Sequence, residues 1–143
     1  MAKRFAWLLS LLLLWQGCAV VNENGHAADG ACEAKLYGRT WRLLTIDNEE
    51  VGLKFPATLT IARDGKMGGF DGCNRYFGKA EVTPTDITFG PVGSTRKYCM
   101  GRPGEVEKAM LGMFRGTKWW HFDPRNRLVI FDDEHRLIFA EER

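Results

Sequence analysis

The chain has 143 residues, 45% of them hydrophobic and 12% aromatic, with 20 basic and 18 acidic side chains. That composition excludes a disordered polymer, which lacks the apolar surface to form a core. The near-balance of charge argues against a general nucleic-acid binder, which needs a basic face to neutralise phosphates.

Lys3 and Arg4 precede an apolar run from Phe5 to Trp15, broken only by Ser10. A membrane span needs about 17–25 residues, so the run fits a signal-peptide core instead. It ends in Leu14-Trp15-Gln16-Gly17-Cys18. A small residue before a cysteine resembles a bacterial lipobox, which implies lipidation of Cys18 and a signal peptide of residues 1–17. Trp15 and Gln16 depart from the usual lipobox residues, and cleavage after Ala19 or Ala27 is the alternative. Removing residues 1–17 takes Lys3 and Arg4 but no acid, leaving 18 basic against 18 acidic residues. The remaining chain of about 126 residues suits one domain with one core.

Residues 18–35 are small and polar without apolar periodicity and read as a flexible tether. The folded domain is expected from residue 36 to residue 143. Thr40 to Ile46 mixes aromatic, β-branched and apolar residues, as strands do. Asp47 to Glu50 breaks it. Leu59 and Ile61 alternate within the next strand. Asp64-Gly65 is a hairpin signal, and Lys66 to Phe70 returns. Arg75 to Val82 and Ile87 to Phe89 extend the pattern as far as Gly90-Pro91.

Pro103 suits a first helical position, and Glu105 and Glu107 place negative charge at the positive end of a helix dipole. Val106, Ala109, Met110 and Met113 recur at helical spacing and make one apolar face. Gly116 is a stop signal. Lys118 to Phe122, Leu128 to Phe131 and Leu137 to Phe139 follow as three strands. The fold class is therefore α+β and mostly β: an antiparallel meander curled into a barrel-like sheet, with one amphipathic helix before the last strands. A flat sheet of seven or eight strands would leave open edges and one bare face. The expected core comprises Trp41, Leu59, Ile61, Phe89, Val106, Met110, Met113, Leu128, Ile130, Leu137 and Phe139.

Four cysteines remain to be placed. Cys73 closes Gly68-Gly69-Phe70-Asp71-Gly72-Cys73 and Cys99 closes Ser94-Thr95-Arg96-Lys97-Tyr98-Cys99. No Cys-x-x-Cys occurs, which weakens redox catalysis and a zinc knuckle. In an oxidising envelope a Cys73–Cys99 disulfide is the favoured state, stabilising by about 3 kcal/mol through loop closure. Cys32 is then the odd sulfur: a free thiol, a link between two molecules, or a competitor for one member of the pair.

No catalytic, metal or cofactor motif emerges. His26, His121 and His135 form no His-Glu-x-x-His, no Gly-x-Ser-x-Gly is present, and the glycines at 65, 68, 69 and 72 lack the phosphate-loop pattern. Those glycines read as hairpin and bulge positions. Trp119 and Trp120 are adjacent in a strand and so point to opposite faces; with Tyr98 they are the candidates for a binding surface.

These landmarks, taken in order, resemble the META domain family and within it the HslJ-like envelope lipoproteins. Thr40-Trp41-Arg42-Leu43 is similar to the opening strand, and Thr58 to Ile61 with Asp64-Gly65 to the next strand and hairpin. Gly72-Cys73-Asn74-Arg75-Tyr76 is similar to the Gly-Cys-Asn motif, and Thr95 to Cys99 to the Thr-x-x-x-Cys element. Glu105 and Glu107 fall where the family's helix begins, and Leu128 and Leu137 in the closing strands. The resemblance covers residues 36–141. It implies structural roles for Trp41, Gly72, Cys73, Asn74, Thr95 and Cys99. Tyr98 stands where a small residue is common.

The family is linked to stress response, antibiotic tolerance and secretion or motility without a shared catalytic set. The fold also resembles secretion-system pilotins, a resemblance that implies partner binding. The expected function is a non-enzymatic, lipid-anchored envelope domain that binds a protein or another envelope component, without nucleic acid or cofactor. Alternatives are a small-molecule or lipid carrier or enzyme, which needs a deep apolar cavity, and a secreted protease inhibitor-like module using Gly90 to Gly93 or Gly101 to Gly104. Ala19, rather than aspartate, after Cys18 points to the outer membrane facing the periplasm; a soluble periplasmic or secreted protein is the alternative.

Overall fold

The structure is a computed structural model and describes residues 29–143. The expected signal peptide, the lipidation position Cys18 and residues 19–28 of the tether lie outside the described residues. The described chain runs α1 (Asp29–Leu36), β1 (Thr40–Ile46), β2 (Glu49–Glu50), β3 (Thr58–Ile61), β4 (Lys66–Phe70), β5 (Arg75–Val82) and β6 (Asp86–Phe89). It continues through β7 (Gly93–Ser94), α2 (Arg102–Met113), β8 (Gly116–Phe122), β9 (Leu128–Phe131) and β10 (Arg136–Glu141).

Eight of these strands close into an antiparallel barrel in the order β1-β3-β4-β5-β6-β8-β9-β10, and β10 returns to pair with β1. Closure removes the open edges that a flat sheet would expose. The two-residue strands β2 and β7 are additions, β2 on β1 and β7 on β5. A register irregularity between Leu43 and Thr45, where β1 meets β10, bends β1. The bend lets its first half pair with β3 while its second half pairs with β2. Asp47 and Asn48, with φ of 51° and 70°, form the tight turn between β1 and β2.

The period-2 pattern sends alternate side chains inward. Trp41, Leu59, Ile61, Leu128, Ile130, Leu137 and Phe139 are each fully buried. All eleven expected core residues are buried, and Leu36, Tyr76, Phe114, Trp120 and Phe122 join them. Burying each large apolar side chain contributes roughly 1.5–3 kcal/mol.

The two helices close the two ends. α2 presents Val106, Met110 and Met113 inward. The chain leaves it through Phe114, which stacks on Tyr76 and Phe89 with ring centroids 5.4 and 4.9 Å away. α1 covers the opposite end, beside the β3–β4 and β8–β9 turns. The Gly38 amide donates to the Ile61 carbonyl, and Lys35 Nζ donates to Asn126 at 2.6 Å and lies over the Phe122 ring. Trp41 Nε1 donates to the Leu36 carbonyl at 3.0 Å.

This helix corrects the reading of residues 29–35 as part of a flexible tether. Ala31, Cys32 and Ala34 are too small to mark an apolar face, so α1 carries no periodic signal. It is held by tertiary contact, with Leu36 fully buried and Cys32 and Tyr37 packed on the core. Among the described residues no helix is long and apolar enough to cross a membrane.

Candidate functional site

The β4–β5 turn, Asp71 to Asn74, sits at the α2 end of the barrel. Gly72 has φ 100°, and a side chain there would press on Leu53, Val106 and the Pro103 carbonyl. Asp71 Oδ1 accepts from the amides of Cys73 and Asn74 at 2.9 and 2.6 Å, which shapes the turn. Asp71 is fully buried, and its Oδ2 has no hydrogen-bond partner. Burial pushes its carboxyl above the ordinary carboxylate value; the amide hydrogen bonds pull the other way, and the charge of Glu107 adds to the rise.

Asn74, 2% exposed, is the hub of the region. Its Nδ2 donates to the Lys97 carbonyl at 2.9 Å and to Glu107 Oε1 at 2.8 Å. Its Oδ1 accepts from the Lys97 amide at 2.7 Å and the Thr95 hydroxyl at 2.9 Å. Thr95 Oγ1 also accepts from the Arg75 amide, and the Thr95 amide donates to the Arg75 carbonyl. One amide side chain therefore ties the turn, the segment after β7 and helix α2 together.

Cys73 and Cys99 form a disulfide with Cα atoms 5.8 Å apart. Cys32 is engaged as well, and because Cys73 and Cys99 hold each other it displaces neither. That corrects the free-thiol and competitor readings of Cys32. Behind Cys99 the backbone is packed: a side chain at Gly104, in the first turn of α2, would collide with the Cys99 carbonyl.

The loop from residue 95 to residue 101 is thus fastened at Thr95, Lys97 and Cys99, while its apex stands in solvent. Tyr98 is 89% exposed and Met100 79% exposed. Beside the disulfide lies a pocket of about 380 Å³ lined by Phe70, Cys73, Arg75, Thr95 and Lys97. Arg75, Arg96 and Lys97 are exposed, and none belongs to the ion pairs found among the described residues.

The two tryptophans separate as strand geometry requires. Trp120 is 4% exposed, and its Nε1 donates to the Thr83 carbonyl at 2.8 Å. It leaves the candidate binding surface, because register with Ile130 turns it into the barrel. Trp119 is 45% exposed and packs on Phe131, away from the Tyr98 loop. The inhibitor-loop candidates are also engaged: Gly93 lies in β7, and Gly101 to Gly104 start α2. His121 is held below its ordinary value by burial, and His135 above it by its hydrogen bond to Asp47. No cluster of metal-ligand residues occurs among the described residues.

Sequence reasoning marked Cys73, Asn74, Thr95 and Cys99 as motif residues but missed Asp71, Lys97 and Glu107 as their partners. The only signal was the Asp-Gly-x-Asn turn composition.

The META domain family matches residues 34–143. No curated protein matches the chain. An NMR structure of a protein from Burkholderia xenovorans superimposes with TM-score 0.60 at 25% identity, covering 77% of this chain and 87% of that one. A second NMR structure superimposes with TM-score 0.64 at 17% identity, covering 75% and 92%. The second likeness is one of fold.

Proposed function

Since this chain belongs to the META domain family, we propose that it acts without catalysis, as a binding module of a bacterial cell envelope. It is anchored through lipidated Cys18 on the periplasmic face of the outer membrane and engages a protein or another envelope component under stress. The observation that carries this reading is the 95–101 loop. Tyr98 and Met100 are exposed at 89% and 79% on a base fixed by a disulfide and the Asn74 hydrogen bonds. A rigid base lowers the entropy lost when an exposed aromatic side chain docks, and tyrosine is a favoured anchor at interfaces. The carrier alternative draws no support from the barrel interior, where Trp41, Phe114, Phe139 and Met110 are fully buried.

The test is a photo-crosslinking amino acid placed at position 98 in intact cells, with position 125, in the β8–β9 turn at the other end, as control. A discrete adduct from position 98 alone, in the membrane fraction and lost from it in Cys18→Ala, is the expected result. No adduct, or the same adducts from both positions, would defeat the binding reading.

A further inference from the structure

We infer that the partner of the 95–101 loop is an acidic protein segment, whose carboxylates meet Arg75 and Lys97 while its apolar residues pack on Tyr98 and Met100. This rests on the binding reading above and names the chemistry of that partner. The pocket beside the disulfide carries two cationic side chains, Arg75 and Lys97, and no carboxylate residue in its lining. Arg96 adds a third exposed positive charge on the same segment. None of the three joins an ion pair among the described residues. Two acids stand behind this surface, and both are engaged inward: Glu107 is half-buried and receives the Asn74 amide, and Asp71 is fully buried and accepts from the Cys73 and Asn74 backbone amides. The surface therefore holds positive charge in excess, which a negatively charged partner complements.

Apolar atoms flank those charges. Tyr98 and Met100 stand at the loop apex, and Phe77, two residues beyond Arg75 on the same outward face of β5, is 62% exposed. The pocket volume of about 380 Å³ accommodates a side chain.

Geometry favours a protein over the bilayer. The chain enters the barrel through α1, beside the β3–β4 and β8–β9 turns. The loop is fastened to the β4–β5 turn and α2, at the opposite end. A domain held by its N-terminal side presents this loop away from the surface that holds it.

The experiment titrates the oxidised protein with a short peptide alternating glutamate with leucine and phenylalanine. The same peptide with glutamine for glutamate and vesicles of phosphatidylglycerol with phosphatidylcholine serve as competing probes. Binding is read by anisotropy of the labelled peptide and by amide shifts in the protein. The acidic peptide should shift Arg75, Thr95, Lys97 and Tyr98 and weaken as salt rises. The double substitution Arg75→Gln with Lys97→Gln should weaken it about tenfold. Both side chains are exposed, so the variant should keep its melting temperature, which separates lost binding from lost fold. The inference is overturned if the glutamine peptide binds as tightly, if only vesicles shift these residues, if the protein merely self-associates through them, or if no probe binds. A crosslinked partner at position 98 with binding indifferent to charge would leave the binding module standing and remove only the acidic chemistry.

Discussion

Replacing Asn74 with alanine removes five hydrogen bonds, one of them a weak one to Cys73 Sγ, from a side chain that is 2% exposed. It leaves the Lys97 amide and carbonyl and the Glu107 carboxylate without that partner. An unsatisfied buried backbone group costs about 1–3 kcal/mol, and a lost bond to a charged group about 1.5–3 kcal/mol. Lys97 and Glu107 are part-exposed, so water recovers some of each term and the low end applies. The expected loss is about 3 kcal/mol. For a domain of this size that lowers Tm by about 12 °C, at roughly 4 °C per kcal/mol. The disulfide fastens the same loop, and closing a sequence separation of 26 contributes about 3.5 kcal/mol in the chain-entropy account. Because either device alone holds the segment, Asn74→Ala combined with the Cys73→Ser, Cys99→Ser pair should cost less than the sum of the two losses. The shortfall should be about 1–2 kcal/mol. Urea unfolding followed by circular dichroism measures all four corners of this cycle. A loss below about 1 kcal/mol for Asn74→Ala, or additivity within about 0.5 kcal/mol, would refute the clamp.

Three further outcomes are expected. Burial holds the Asp71 carboxyl above its ordinary value of 3.8, so the folded state favours the protonated form. Its contribution is fully present below that value and declines as pH rises through the folded-state pKa; Asp71→Asn should flatten this fall in urea unfolding from acidic to neutral pH, and an unchanged slope would count against it. Leu36, the last residue of α1, is fully buried, so Leu36→Ala should cost about 2–4 kcal/mol in the same assay; a loss within about 0.5 kcal/mol would mean α1 is no plug. Asp47 raises His135 above its ordinary 6.5. The stabilisation this pair supplies is present below that value and fades as pH rises through the folded-state pKa. The pair is exposed and its contribution small, so His135→Gln should melt slightly lower than the parent in mild acid and equally at alkaline pH; a difference that grows with pH would contradict the assignment.

Much of the barrel was legible because strands buried on one face write their parity into the sequence. Leu59 and Ile61, Leu137 and Phe139, and the 3.6-residue repeat of Val106, Met110 and Met113 all marked the inward side. α1 was illegible because its alanines and cysteine leave only Leu36 to bury. The short strands β2 and β7 were illegible because two residues carry no period, and pairing with β1 and β5 alone defines them.

The site divides along the same line. Adjacency required Trp119 and Trp120 to face opposite ways, but only register with β9 decided that Trp120 turns inward. The sequence by itself determined the strand-rich class, the position of α2 and the motif residues around both cysteines, because these depend on neighbours a few positions apart. Tertiary structure alone decided that Asn74 binds Thr95, Lys97 and Glu107, that Asp71 is buried beneath them, and that Tyr98 is left in solvent. Those facts depend on the β4–β5 turn, the segment after β7 and α2 meeting at one end of the barrel across separations of 21 to 33 residues, and that meeting is not written in any one segment.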